Sequence, residues 1–85
     1  MTTEKISLDN AYHLNCIINR LSDKSKKTEF EMAIWSLKRS QFCEEREDIR
    51  QILTEMLWPA QFACKKIVKT EAIAAVRAYI AGITK

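Results

Sequence analysis

Residues 28–57 run TEFEMAIWSLKRSQFCEEREDIRQILTEML, and the fold turns on whether they form one helix or two. Phe30, Ala33, Ile34 and Leu37 share one face at helical spacing, and Ile49, Ile52, Leu53, Met56 and Leu57 share another. On an unbroken helix these faces lie about 110° apart at 100° per residue. An unbroken helix has something in its favour, because nothing between Arg39 and Asp48 is a strong helix breaker. Trp35, Phe42, Ile49 and Met56 would then recur at intervals of seven and form a seam. Such a helix, Glu29 to Trp58, would be about 45 Å long, more than a compact monomer of this size covers, and would imply a partner chain. Lys38, Arg39, Glu45 and Arg46 interrupt the seam. The preferred reading is therefore a break between Ser40 and Asp48, with two antiparallel helices aiming their stripes at a common core. Thr28-Glu29-Phe30-Glu31 has the pattern of a capping box and predicts the start of the first of these helices.

Outward from this stretch the chain remains helical. Ala11, Leu14, Ile17, Ile18 and Leu21 predict a first helix from Ser7 or Leu8 to Leu21, followed by a polar loop over 22–27. Pro59 suits the first position of a last helix and Gly82 its left-handed cap. Between them, Ala60, Ala63, Ala74, Ala78 and Gly82 make a stripe of small residues, opposed by a bulky stripe of Phe62, Ile73, Val76 and Ile80. A hinge with Thr70 as the cap of a separate final helix, and Glu71 in its exposed first turn, is the alternative. One glycine and one proline in 85 residues leave little material for tight turns. The expected architecture is all-α: one domain spanning 1–85, a small three- to four-helix bundle with its C-terminal helix central or at a dimer interface.

Composition excludes several function classes. The opening residues lead into an amphipathic stretch, so no signal peptide is expected, and Ala72–Ile83 is too short to span a bilayer. Cys16, Cys43 and Cys64 form an odd, widely spaced set that suits reduced thiols in a cytoplasmic protein. His13 and Cys16 stand at i, i+3, a spacing that suits two metal ligands. With no CxxC pair, zinc gives way to packing cysteines and a solvent-facing histidine. No nucleophile elbow accompanies the lone histidine, and Glu44, Glu45, Glu47 and Asp48 are interleaved with Arg46 and Arg50 as on a solvated helix surface. No enzymatic activity, cofactor or metal is expected.

Two readings of function remain. Trp35 and Phe42 lie about 130–150° from the Phe30/Ile34/Leu37 face, with Lys38 and Arg39 between them; Tyr12 and Cys16 form a similar off-face pair. Large aromatics flanked by arginine dominate binding hot spots, so surplus apolar faces point to a larger partner protein or to a homodimer. On this reading the chain is a regulator, inhibitor or adaptor anchored by Trp35 and Phe42 and steered by Lys38 and Arg39 toward an acidic patch. Its compact, loop-poor make-up suits the accessory regulators of phages and mobile elements. The alternative is a basic helical nucleic-acid-binding protein using Lys24, Lys26, Lys27, Lys65, Lys66 and Lys69, in keeping with a net charge of +3. A helix-turn-helix across Ser40–Glu47 is disfavoured, since Glu44, Glu45, Glu47 and Asp48 would face phosphate.

Overall fold

The computed structural model describes residues 5–85, with the side chains of Gln41 and Phe42 excepted. Five α-helices account for most of the chain: α1 (Leu8–Ile18), α2 (Lys27–Arg39), α3 (Gln41–Glu45), α4 (Glu47–Leu57) and α5 (Lys66–Ile83). A single 3-10 turn, Pro59–Phe62, stands between α4 and α5. The four longer helices pack as a ring in which α1 touches α2, α2 touches α4, α4 touches α5 and α5 returns to α1. The expected all-α bundle is therefore present, with α3 as an additional short helix between α2 and α4.

The residues 28–57 break twice. Ser40 is extended (φ −63°, ψ 130°) and ends α2, and Arg46 (φ −118°, ψ 71°) separates α3 from α4. Neither residue type forces this, since helix propensities differ by only a few tenths of a kcal/mol here. Burial decides it. Phe30, Leu37, Cys43, Ile49, Leu53 and Leu57 are all fully buried, which an unbroken rod could not achieve in a chain of this size. Each buried aliphatic contributes about 1.5–3 kcal/mol, so the re-aimed stripe outweighs the lost helical residues. At the second break the Arg46 guanidinium makes two hydrogen bonds to Asp48, at 3.2 and 3.1 Å, and holds its carboxyl below the usual range. Glu47 and Asp48 also complement the dipole of α4.

Four terminus expectations are corrected, the first being the end of α1, which falls at Ile18 and not at Leu21, with Asn19 as its cap. The capping box at Thr28 does not form: α2 begins one residue earlier, at Lys27, with Lys26 as its cap and no side-chain capping bond. The preceding turn is closed on itself: Ser25 is buried, its hydroxyl accepts from Ser22 N–H at 2.9 Å, and its own N–H donates to Ser22 O at 3.1 Å. Pro59 heads the 3-10 turn alone, and the chain is extended at Ala63 and Lys65 before α5 starts at Lys66, so Thr70 lies inside a helix. Gly82 is helical, with no positive φ, and Thr84 caps α5 instead.

The core is one cluster drawn from α1 to α5, with Phe30 its only aromatic ring among the described residues. On α5 the bulky stripe of Ile73, Val76, Ile80 and Ile83 faces it, whereas Ala74, Ala78 and Gly82 face outward. Phe62, expected in the bulky stripe, is exposed, because the turn at Ala63 takes it out of register with α5. The chain ends are stitched together: Ile6 N–H donates to Ile83 O at 2.7 Å, and Lys85 N–H donates to Ile6 O at 3.0 Å. Beside them Ser7 caps α1, its hydroxyl accepting from Asn10 N–H at 3.2 Å. Ser7→Ala is expected to cost about 1 kcal/mol of stability, read as a lower urea midpoint with an unchanged m-value. No helix among the described residues is long and apolar enough to cross a membrane.

Candidate functional site

Helices α1 and α2 are in contact and bury Ala11, Leu14 and Ile17 of the one and Ala33, Ile34 and Leu37 of the other, and a groove lies between the residues they leave outside the core. It is an open groove of about 710 Å³, lined by His13 and Ile17 of α1, Arg20 of the turn that follows, Trp35 and Arg39 of α2, and Glu45 of α3. A smaller recess of about 150 Å³ continues it along the same two helices, floored by Ile17 and Ala33 and edged by Met32 and Glu29. Trp35 is 58% exposed and Met32 67%, so the groove is flanked by large apolar side chains in contact with solvent. The Arg39 guanidinium stands 4.5 Å from the centre of the Trp35 ring, a cation–π contact that restrains both side chains. Among the described residues Arg20, Lys38 and Arg39 have no carboxylate partner. The charged groups lining the groove and its recess are Arg20 and Arg39 together with Glu29 and Glu45, and Lys38 adds a further cation beside Arg39 on the last turn of α2.

Of the residues expected to contact a partner, Trp35, Lys38 and Arg39 come together on the last turns of α2. The side chain of Phe42 lies outside the described residues. Its backbone belongs to α3, beyond the extended Ser40, so the seven-residue relation to Trp35 no longer puts the two on one helix face. Sequence reasoning did not find His13, Ile17, Arg20 or Met32 as groove residues. Ile17 was legible as a core position and His13 and Met32 as positions off the apolar faces, but which helix would lie opposite was not.

The lysine clusters divide. Lys69 Nζ donates to Ser25 O at 2.8 Å, which brings the start of α5 against the 22–27 turn, and Lys27 Nζ lies 5.0 Å from the Phe62 ring centre. Lys24, Lys26, Lys27, Lys65, Lys66 and Lys69 therefore occupy one end of the bundle. Lys38 and Arg39 stand at the far end of α2, about 18 Å away along its axis. Glu71 is exposed on α5 and raises no question of a buried carboxylate.

The cysteines are not all packing residues as expected: Cys43 is buried, but Cys16 and Cys64 are exposed. No group of three or more His, Cys, Asp or Glu at metal-binding spacing occurs among the described residues. Burial pushes the Cys43 thiol up against the smaller opposing pulls of a Ser40 hydrogen bond and the Arg50 charge, away from the thiolate that nucleophilic chemistry uses. Burial likewise raises the Tyr79 hydroxyl, helped by the negative charge of Asp48 and opposed by Arg46. Both groups hold their protons to higher pH in the folded than in the unfolded chain. Their contribution is undiminished below the unfolded values of about 8.5 and 10 and is lost as pH rises through the folded ones. The urea midpoint is accordingly expected to fall from about pH 8.5 upward, with Cys43→Ala flattening the earlier part of the decline and Tyr79→Phe the later. A midpoint independent of pH up to 10.5 would contradict this.

Compared with known proteins, the chain matches no family model, no curated protein and no solved structure.

Proposed function

We propose that this protein is a small, non-enzymatic helical interaction module, a regulator, inhibitor or adaptor that acts by seating an acidic surface of a larger protein in the α1–α2 groove. The observation that carries this reading is the Trp35–Arg39 pair, a half-exposed indole stacked against a guanidinium at the lip of an open groove. A surface indole has no folding role that keeps it there, and Trp and Arg are the residues most enriched at binding hot spots. The stacked pair presents its apolar and charged surface already ordered, which reduces the entropy lost on association. Arg20 and Lys38 add positive charge that steers an acidic partner and favours its encounter rate. The mechanism is steric occupation of the partner's surface, with no cofactor required.

The test is capture from a lysate with wild-type protein and with Trp35→Ala and Arg39→Ala side by side, nuclease included throughout. The expected result is a stoichiometric protein band that both substitutions remove and that Lys65→Glu/Lys66→Glu leaves in place. A band indifferent to Trp35 and Arg39 would rule the groove out.

A further inference from the structure

The lysine-rich end of the bundle carries a second exposed aromatic pair that the groove reading leaves unused. Trp58 closes α4 and Phe62 closes the 3-10 turn; they are 52% and 57% exposed, with ring centres 6.1 Å apart and planes at 73°. Phe62 thus braces Trp58 edge-on, while Lys27 covers Phe62 at 5.0 Å. From Lys27 the positive surface runs across the turn. Lys24 and Lys26 flank Ser25, whose carbonyl accepts from Lys69, and Lys65 and Lys66 lie within about one helical turn of Lys69. The turn is itself well tied: besides the Ser22–Ser25 bonds, Lys24 N–H donates to Ser22 Oγ at 3.2 Å. The carboxylates at this end are Asp23 in the turn, Glu29 and Glu31 in the first turns of α2, the latter paired with Lys27 at 3.6 Å, Glu55, hydrogen-bonded by Gln51 one turn before Trp58, and Glu71, two residues beyond Lys69 on α5. Six lysines face these five acids, with Lys24, Lys26, Lys65 and Lys66 in no ion pair among the described residues, and Ile67 and Val68 add exposed apolar surface beside them.

We propose that this end binds single-stranded nucleic acid, with an unpaired base stacked on Trp58 and the neighbouring phosphates held by the lysines of the 22–27 turn and of the start of α5. An aromatic face beside a positive track is the combination by which proteins hold single strands with little sequence preference. A flat ring needs a base out of its stack, which a duplex does not offer, and this end projects no recognition helix. The two components act together: the lysines supply most of the affinity and its salt dependence, and Trp58 supplies the discrimination against other polyanions. Phe62 is a positioning residue that fixes the plane of Trp58. The inference is independent of the Trp35–Arg39 pair, which stands toward the other end of α2, and it uses other residues.

The chain has two tryptophans, one at each site, so each can report alone. In a Trp35→Phe background, Trp58 fluorescence is titrated with a twelve-nucleotide oligothymidylate at low salt, with the duplex of the same length and a polyglutamate peptide of matched charge as competitors. Stacking quenches Trp58 emission, and the single strand displaces both competitors. The affinity falls with salt at a log–log slope of about −2 to −3 for three or four phosphate contacts. Lys65→Glu/Lys66→Glu makes that slope shallower by about 1.4. Trp58→Ala, followed by anisotropy of labelled oligonucleotide, weakens binding about 5- to 150-fold, with Trp58→Phe retaining most of the affinity. Circular dichroism confirms that each variant keeps its helices. An unquenched Trp58 at saturation, a loss of less than twofold in Trp58→Ala, or equal binding of polyglutamate or duplex each overturns the proposal.

Discussion

Phe30→Ala is expected to cost about 3–5 kcal/mol of folding stability, the largest loss expected for a truncation among the described core residues. Phe30 is fully buried in the first turn of α2 and is the largest fully buried side chain among the described residues. Its removal takes away the transfer free energy of the ring and leaves a cavity walled by α-helices that are joined by short turns and have little freedom to collapse. A domain of this length has a total stability of roughly 4–13 kcal/mol, so the variant retains a fraction of it at best. The measurement is the urea midpoint at pH 7, with the m-value as a check that the unfolded state is unchanged. Phe30→Leu, which keeps most of the volume, should lose much less. A loss below 1 kcal/mol in Phe30→Ala would mean that the core is organised around some other residue.

The second large effect concerns binding and leaves stability alone. Trp35→Ala should weaken the groove's complex by at least 2 kcal/mol, or about 30-fold, while moving the midpoint by no more than about 0.5 kcal/mol. The contrast follows from exposure: at 58% exposed the indole contributes little to the core and its surface is available to a partner. Arg39→Lys keeps the charge but loses the planar stacking on Trp35, so it should fall between wild type and Arg39→Ala. A double-mutant cycle on Trp35 and Arg39 should show coupling of about 0.5–2 kcal/mol, since the two act as one unit. Lys38→Glu should act mainly on the association rate and lose its effect at high salt. Additive losses in the cycle would indicate two separate contacts and remove the argument from preorganisation.

The helix faces were legible in the sequence, because burial follows residue type and α-helical spacing converts type into direction. Ala11, Leu14, Ile17 and Ile18 on α1, and Phe30, Ala33, Ile34 and Leu37 on α2, are all buried as their spacing predicts. So was the exposure of Trp35 and Tyr12, which sit off those faces. The ends of helices were less legible. A helix terminus depends on a few tenths to about 1 kcal/mol of capping and propensity, small beside the tertiary terms that compete with it. Thr28 lies inside α2, which starts at Lys27 without a side-chain cap, and Gly82 lies inside α5, beside the pairing of Ile6 with Ile83 and Lys85.

Sequence alone determined the all-α class, the apolar stripe of each long helix, and the scarcity of glycine-based loops. Each of these rests on residue type and local periodicity. Tertiary structure alone decided that residues 28–57 break at Ser40 and again at Arg46, and that Phe62 points to solvent. It also decided that α1 and α2 splay into a groove beneath Trp35, and that one lysine cluster meets another through a bond between residues 44 positions apart, Lys69 and Ser25. The physical reason is that periodicity specifies which side of a helix is apolar but not which helix covers it. That choice is made when several stripes bury one another at once, and every exposed site on this molecule is what remains uncovered after they have done so.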